Sequence, residues 1–207
     1  MEIKKSLSDF WHWLWNSDSW ASYIVFILLI FIIVKFIFLP GMGLILGTKL
    51  PLAIVESCSM YHEDNFMSDY NKWWDYSKTK YEPYNISKEQ FEEFSMAKGF
   101  NKGDILLITR ANRDKLKVGD IIIFSTAGRS TPIIHRIISI KEQNNEKIFS
   151  TMGDHNPGQL AQEKEITSNQ LVGKASLRIG PYLGWVKLIF FESTRSANEK
   201  GFCKNNF

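Results

Sequence analysis

Residues 102–140 read KGDILLITRANRDKLKVGDIIIFSTAGRSTPIIHRIISI, and this stretch decides the fold. Ile105–Thr109, Ile121–Phe124 and Ile133–Ile140 are short, β-branched and separated by turn formers, which predicts three strands. Two of them follow the same device, Lys102-Gly103-Asp104 and Val118-Gly119-Asp120, in which Gly-Asp turns the chain into an apolar strand. Working outward, Lys147–Thr151 and Val172–Ile179 have the same character, and Leu50–Glu56 suits a short buried strand. Between residues 61 and 100 the sequence changes: it is aromatic, charged and poor in β-branched runs. Ser87-Lys88-Glu89-Gln90 predicts a capping box opening a helix through about Met96, and Asp69–Lys80 a second helix around Trp73 and Trp74. The soluble part therefore reads as mainly β with an inserted helical segment.

Tyr23–Leu39, YIVFILLIFIIVKFIFL, is interrupted only by Lys35. A soluble amphipathic helix needs a polar face, and Tyr23–Val34 has none. As a helix it is about 26 Å long, close to the thickness of a bilayer core, and Ala21 or Pro40–Leu46 extend it. The reading is a transmembrane anchor over 21–46 rather than a cleaved leader. Residues 1–20 form an aromatic N-terminal segment in which Trp11, Trp13, Trp15 and Trp20 favour a membrane interface. A soluble domain is expected over 47–192 and a polar, frayed tail over 193–207. Pro181–Phe191, PYLGWVKLIFF, is too short to span. It reads either as a core strand and turn or as a patch that dips into the bilayer.

The formal net charge of +3 is modest and the basic residues are scattered, which argues against nucleic acid as a partner. Cys58 and Cys203 lie far apart with no metal-ligand spacing, and the expectation is two unpaired thiols. With only four histidines in the chain, histidine-dependent chemistry has few candidates.

Ser57-Cys58-Ser59-Met60 ends an apolar strand. A hydrolytic serine needs a fixed backbone, an exposed Oγ and a base within reach, and a strand end supplies the first two. His135 lies in the middle of a β-branched strand. It reads as a satisfied core histidine or as a general base with an ordinary pKa near 6.5. Gly153-Asp154-His155-Asn156-Pro157-Gly158 is rich in turn formers. Its Asp154 is the candidate to accept from His135 and stabilise an imidazolium.

Together these pieces resemble type I signal peptidases, specifically the archaeal and endoplasmic-reticulum branch. The carrying residues are Ile54-Val55-Glu56-Ser57-Cys58-Ser59-Met60, the two Gly-Asp boxes, Ile134-His135-Arg136-Ile137, Thr151-Met152-Gly153-Asp154-His155-Asn156, and Val172-Gly173-Lys174 through Pro181–Val186. The resemblance implies a signal-peptidase-type β catalytic core that removes signal peptides from exported preproteins. The implied nucleophile is Ser59, the base His135 and the acidic helper Asp154, with no metal or organic cofactor. Oxyanion or substrate contacts are expected from Ser57, Ile54, Val55 and Ile133. The implied partners are signal peptides and a lipid bilayer; further subunits are not required by it. The catalytic domain is expected on the extracytoplasmic side of an archaeal plasma membrane, with the endoplasmic reticulum as the alternative. The competing reading is an inactive, anchored interaction subunit of an export complex.

The chain departs from the pattern in three places. His62 stands where the family has proline, and is a rival base. Some forty residues intervene before the first Gly-Asp box. The second aspartate expected after the Gly-Asp-x-Asn box is missing, so Asp154 acts alone, Glu163 substitutes, or the dyad has no carboxylate.

Overall fold

The computed structural model describes residues 2–62 and 70–204 and divides into two units, residues 1–45 and 46–207. The first holds a helix over Glu2–Asn16 and a continuous helical stretch beginning at Trp20. Trp20–Leu46, 27 residues, is long and apolar enough to cross a membrane by length and composition. Ser19 caps its start by accepting from Ser22 N–H at 3.2 Å. Pro40 lacks an N–H and its ring crowds the carbonyl four residues earlier. The helix meets this by widening to a π segment over Val34–Phe38 before resuming as Leu39–Leu46.

The second unit is built on one six-stranded antiparallel sheet in the order β1-β2-β6-β3-β4-β5. The strands are β1 Leu52–Ile54, β2 Ile105–Thr109, β3 Ile121–Phe124, β4 Ile133–Gln143, β5 Glu146–Met152 and β6 Leu171–Gly180. The mainly β reading holds, with each strand close to where the β-branched runs put it. β3 is buried on both faces. Ile121 and Ile123 join a core with Val55, Met60 and Phe100, while Ile122 and Phe124 join another with Ile133, Ile137 and Phe149. Alternation along the pleat sends successive side chains to opposite sides, which explains the unbroken apolar run IIIF.

The insertion contributes helices Tyr70–Tyr81 and Lys88–Glu92. Asp69, where the first was expected to start, lies outside the described residues. The Ser87–Gln90 capping box forms as predicted, but the helix stops at Glu92 instead of continuing to Met96. Met96 instead takes a left-handed backbone with φ of 50°, which breaks helical geometry, and the carbonyls of Ser95 and Met96 accept from the Arg136 guanidinium at 2.8 and 3.0 Å. Trp73, Trp74, Tyr81 and Phe91 pack as an aromatic cluster over Ile138 and Met152 and so fasten the insertion to β4 and β5.

Two expectations are corrected. Pro181–Phe191 is not a strand: it forms turns and a short helix, Trp185–Leu188, with Leu183, Val186, Ile189 and Phe190 exposed. The cysteines are paired, with Cys58 and Cys203 in a disulfide across 145 residues. As far as it is described, the tail is therefore tied down through Cys203 rather than frayed.

Candidate active site

β1 is an edge strand, pairing among the described residues only with β2. β5 first pairs with β4 at Arg136↔Met152, so among the described residues Ile133–His135 pair with β3 alone. A cavity of about 980 Å³ lies between these two free edges. Ile54, Val55, Ser57 and Ser59 line one wall, and Ile133 and His135 the other. Six of the seven residues named from the sequence thus share one cavity. Asp154 is not among its lining residues.

Ser59 sits in a turn just after β1, not within a strand. Its backbone is fixed on the downstream side: its carbonyl accepts from His155 N–H at 2.8 Å, and the next carbonyl, of Met60, accepts from Phe100 N–H at 3.0 Å. The approach of residue 155 requires glycine at 153. A Cβ there would meet the Ser59 carbonyl oxygen at 2.8 Å and Asn156 Nδ2 at 2.7 Å. The Ser59 hydroxyl shares a 3.2 Å hydrogen bond with that of Ser57. Cys58 is held in the disulfide and so is no nucleophile.

His135 is buried, with Nδ1 bonded to Glu163 Oε1. The Glu163 carboxylate is itself fully buried. Its Oε1 also accepts from Thr151 Oγ1 at 3.2 Å and its Oε2 from Leu160 N–H at 2.7 Å. These contacts follow from the short 3-10 turn Ala161–Glu163, which swings the side chain back over its own N-terminus. A histidine that donates through Nδ1 to a carboxylate presents an unprotonated Nε2, the form a general base needs.

Asp154 lies elsewhere. Arg136 Nε donates to its Oδ1 at 3.0 Å and Nη2 to its Oδ2 at 2.7 Å. Tyr81 Oη donates to Oδ1 at 3.0 Å, and His62 Nε2 bonds Oδ2 at 2.9 Å. The reason is strand alternation: His135 and Arg136 are neighbours on β4 and face opposite sides, and Asp154 follows Arg136. The bond expected between His135 and Asp154 is therefore replaced by one between His135 and Glu163. Arg136 completes its set with the carbonyl of Gly119 at 3.0 Å. Lys80 Nζ donates to the carbonyls of Asp154 and of Asn156, the latter at 3.1 Å, and ties the insertion to the same turn.

Burial pushes the Asp154 carboxyl up, but Arg136 and His62 outweigh it and hold it well below the usual carboxylate range. Burial lowers His62 to about 4 against the opposing pull of Asp154. The ring stacks on Trp73 with centroids 3.7 Å apart. His62 is thus a buried neutral group outside the cavity lining, a poor fit to the rival-base role. Between pH 6.5 and about 4 the unfolded chain binds a proton that the folded chain refuses, so stability falls as pH drops through that window. The expected loss is about 2–3 kcal/mol. Urea midpoints measured from pH 7.5 to 4.5 should fall for the wild type and lose this component in His62→Gln.

No protein-family model matches the chain. Among curated proteins, it is 36% identical over 105 residues to the signal peptidase complex catalytic subunit SEC11C of Homo sapiens and of Mus musculus, covering 46% of this chain and 52% of each relative. It is 35% identical over 106 residues to the signal peptidase complex catalytic subunit SEC11 of Candida tropicalis, covering 48% of this chain and 62% of that protein. The chain thus spans about half the length of the first of these relatives. Over that half it is similar to catalytic subunits of signal peptidase complexes, in agreement with the resemblance carried by its own sequence boxes.

Proposed function

We propose that the chain is a membrane-anchored serine endopeptidase that removes signal peptides from preproteins. The observation that carries this reading is the shared cavity between two free strand edges, with Ser59 on one wall and a carboxylate-oriented His135 on the other. An extended segment of substrate adds to the β1 edge by main-chain hydrogen bonds. Ile54, Val55 and Ile133 then contact its side chains, in keeping with small residues near the cut.

His135 Nε2 takes the Ser59 proton as Oγ attacks the scissile carbonyl. The imidazolium is stabilised by Glu163 through Nδ1, and its proton passes to the leaving amine. Ser57, 3.2 Å from Ser59, is positioned to donate to the developing oxyanion or to align the nucleophile. Such donors contribute about 3 kcal/mol when aimed correctly.

Trp20–Leu46 supplies the anchor, and the exposed Leu183, Val186, Ile189 and Phe190 give the catalytic unit an apolar patch suited to the bilayer. The disulfide favours an oxidising, extracytoplasmic compartment. The animal and yeast relatives speak for the endoplasmic reticulum over the archaeal plasma membrane as the setting. Their names also make partner subunits a part of the proposal.

The test is cleavage of a signal-peptide-bearing preprotein by the full chain in liposomes, with the cut site read by mass spectrometry. A single cut after a small residue is expected. A folded wild type that leaves the preprotein intact, alone and with added complex subunits, supports the inactive-subunit alternative instead.

A further inference from the structure

The downstream side of Ser59 is held by the protein core, as described above. On the upstream side Val55 is bonded to Gly103 and Asp104 at 2.8 and 2.9 Å, and from Glu56 to Cys58 further ties come from something the proposed chemistry does not use, the segment from Glu192 to Cys203. Arg195 Nη1 donates to the Glu56 carbonyl at 2.9 Å and Nη2 to Glu56 Oε2 at 3.1 Å. Cys203 is bonded to Cys58. Two residues flanking Ser57, one of them immediately before Ser59, are thus tied to the same segment.

That segment is itself anchored. The Lys102 ammonium, almost wholly buried, donates to Glu192 Oε1 and Oε2 at 2.6 and 3.0 Å and to the Glu199 carbonyl at 2.6 Å. Gly201 N–H donates to Glu192 Oε1 at 3.2 Å, and Phe202 packs on Trp185 with ring centroids 4.6 Å apart. Arg195 and Glu199 also line the cavity. Both cysteines are only half-buried, so a small reductant has access to the bond between them.

We propose that residues 192–203 form a covalent brace that positions the nucleophile turn, with Cys58–Cys203 and Arg195 as positioning residues and full activity confined to the disulfide form. This rests on Ser59 being the nucleophile. A displacement of the attacking atom by about 1 Å is enough to cost roughly 100-fold in rate, and a turn whose Cys58 tie is released gains freedom on that scale even with the Val55 and Glu56 contacts kept. Opening the brace takes two electrons and two protons from a dithiol, which becomes a disulfide as the two cysteine thiols form.

The experiment compares the full-length enzyme, oxidised and after dithiothreitol treatment with both thiols confirmed by mass, on one preprotein substrate. Cys203→Ser, Arg195→Ala, Arg195→Lys and Ser59→Ala are assayed beside it. Amide hydrogen exchange across residues 55–62 is followed in each. The expected result is a kcat lower by about 10- to 100-fold in the reduced enzyme and in Cys203→Ser, with KM within about twofold and faster exchange in 55–62. Dithiothreitol should not slow Cys203→Ser further, and Arg195→Lys should recover part of what Arg195→Ala loses.

A reduced, folded wild type with unchanged kcat and unchanged exchange overturns the brace while leaving the nucleophile in place. Activity retained in Ser59→Ala overturns the nucleophile reading, and the exchange data then decide the brace alone. If Cys203→Ser does not fold, the reduced wild type, checked by circular dichroism, carries the test.

Discussion

Ser59→Ala and His135→Ala should each lower kcat by at least about 10⁴-fold with the fold intact, because the proposed nucleophile and base act as a unit and neither retains much without the other. Glu163→Gln should follow at about 10²- to 10⁴-fold. The amide still fills the space beside Nδ1, but it offers no charge to the imidazolium and can present an N–H that selects the wrong tautomer. Single-turnover cleavage by these variants, with circular dichroism as the check on folding, gives the comparison. The informative outcome is the order of effects. If Glu163→Gln is near wild type while a folded Asp154→Asn is inactive, the acid belongs where the sequence boxes put it, and the His135–Glu163 contact is structural.

The second large effect is on stability. Asp154→Ala should destabilise the unit that carries the sheet by about 3–5 kcal/mol, the cost of leaving a buried charge without its partner. Arg136 has no exposed surface and its charge is balanced by Asp154, with carbonyls of Ser95, Met96 and Gly119 taking further N–H groups. Removing the carboxylate also strips an acceptor from Tyr81 and His62, so the insertion loosens with it. Urea unfolding of Asp154→Ala beside Asp154→Asn measures this. The asparagine retains an acceptor and should lose less. Midpoints that match the wild type would show that the guanidinium finds other partners, and would return Asp154 to consideration as a residue of the chemistry.

These two predictions separate acids that the sequence treats as alternatives, and the reason for the ambiguity is physical. Asp154 sits in a recognisable box, whereas Glu163 reaches His135 only because a single 3-10 turn folds back, and one stray glutamate has no pattern. The strands were legible because β-branched runs bounded by Gly-Asp turns leave few other structures open. The capping box at Ser87 was legible because its four residues are self-contained. Ser59 and His135 were named by resemblance, and both line one cavity. The disulfide was not, since 145 residues of separation say nothing of distance. Nor was the conformation of Pro181–Phe191. An apolar run of that length suits a strand or a helix equally, and there the choice is made by Trp185, whose Nε1 donates to the Lys102 carbonyl at 3.1 Å.

The His135-Arg136 pair, with one side chain toward the cavity and the other into the core, makes strand register a condition of chemistry as well as of packing. A slip of β4 by one residue would exchange the two. A permanent cation would then face Ser59 where the proposed mechanism needs a proton acceptor, and an imidazole would be left to balance Asp154. Such a misregistered chain could keep much of its apolar burial, because β3 and β4 carry isoleucine on both faces. The ion pair with Asp154 therefore acts as a proofreading contact: it is satisfied in one register only, and it ties the insertion to the sheet only when that register is correct.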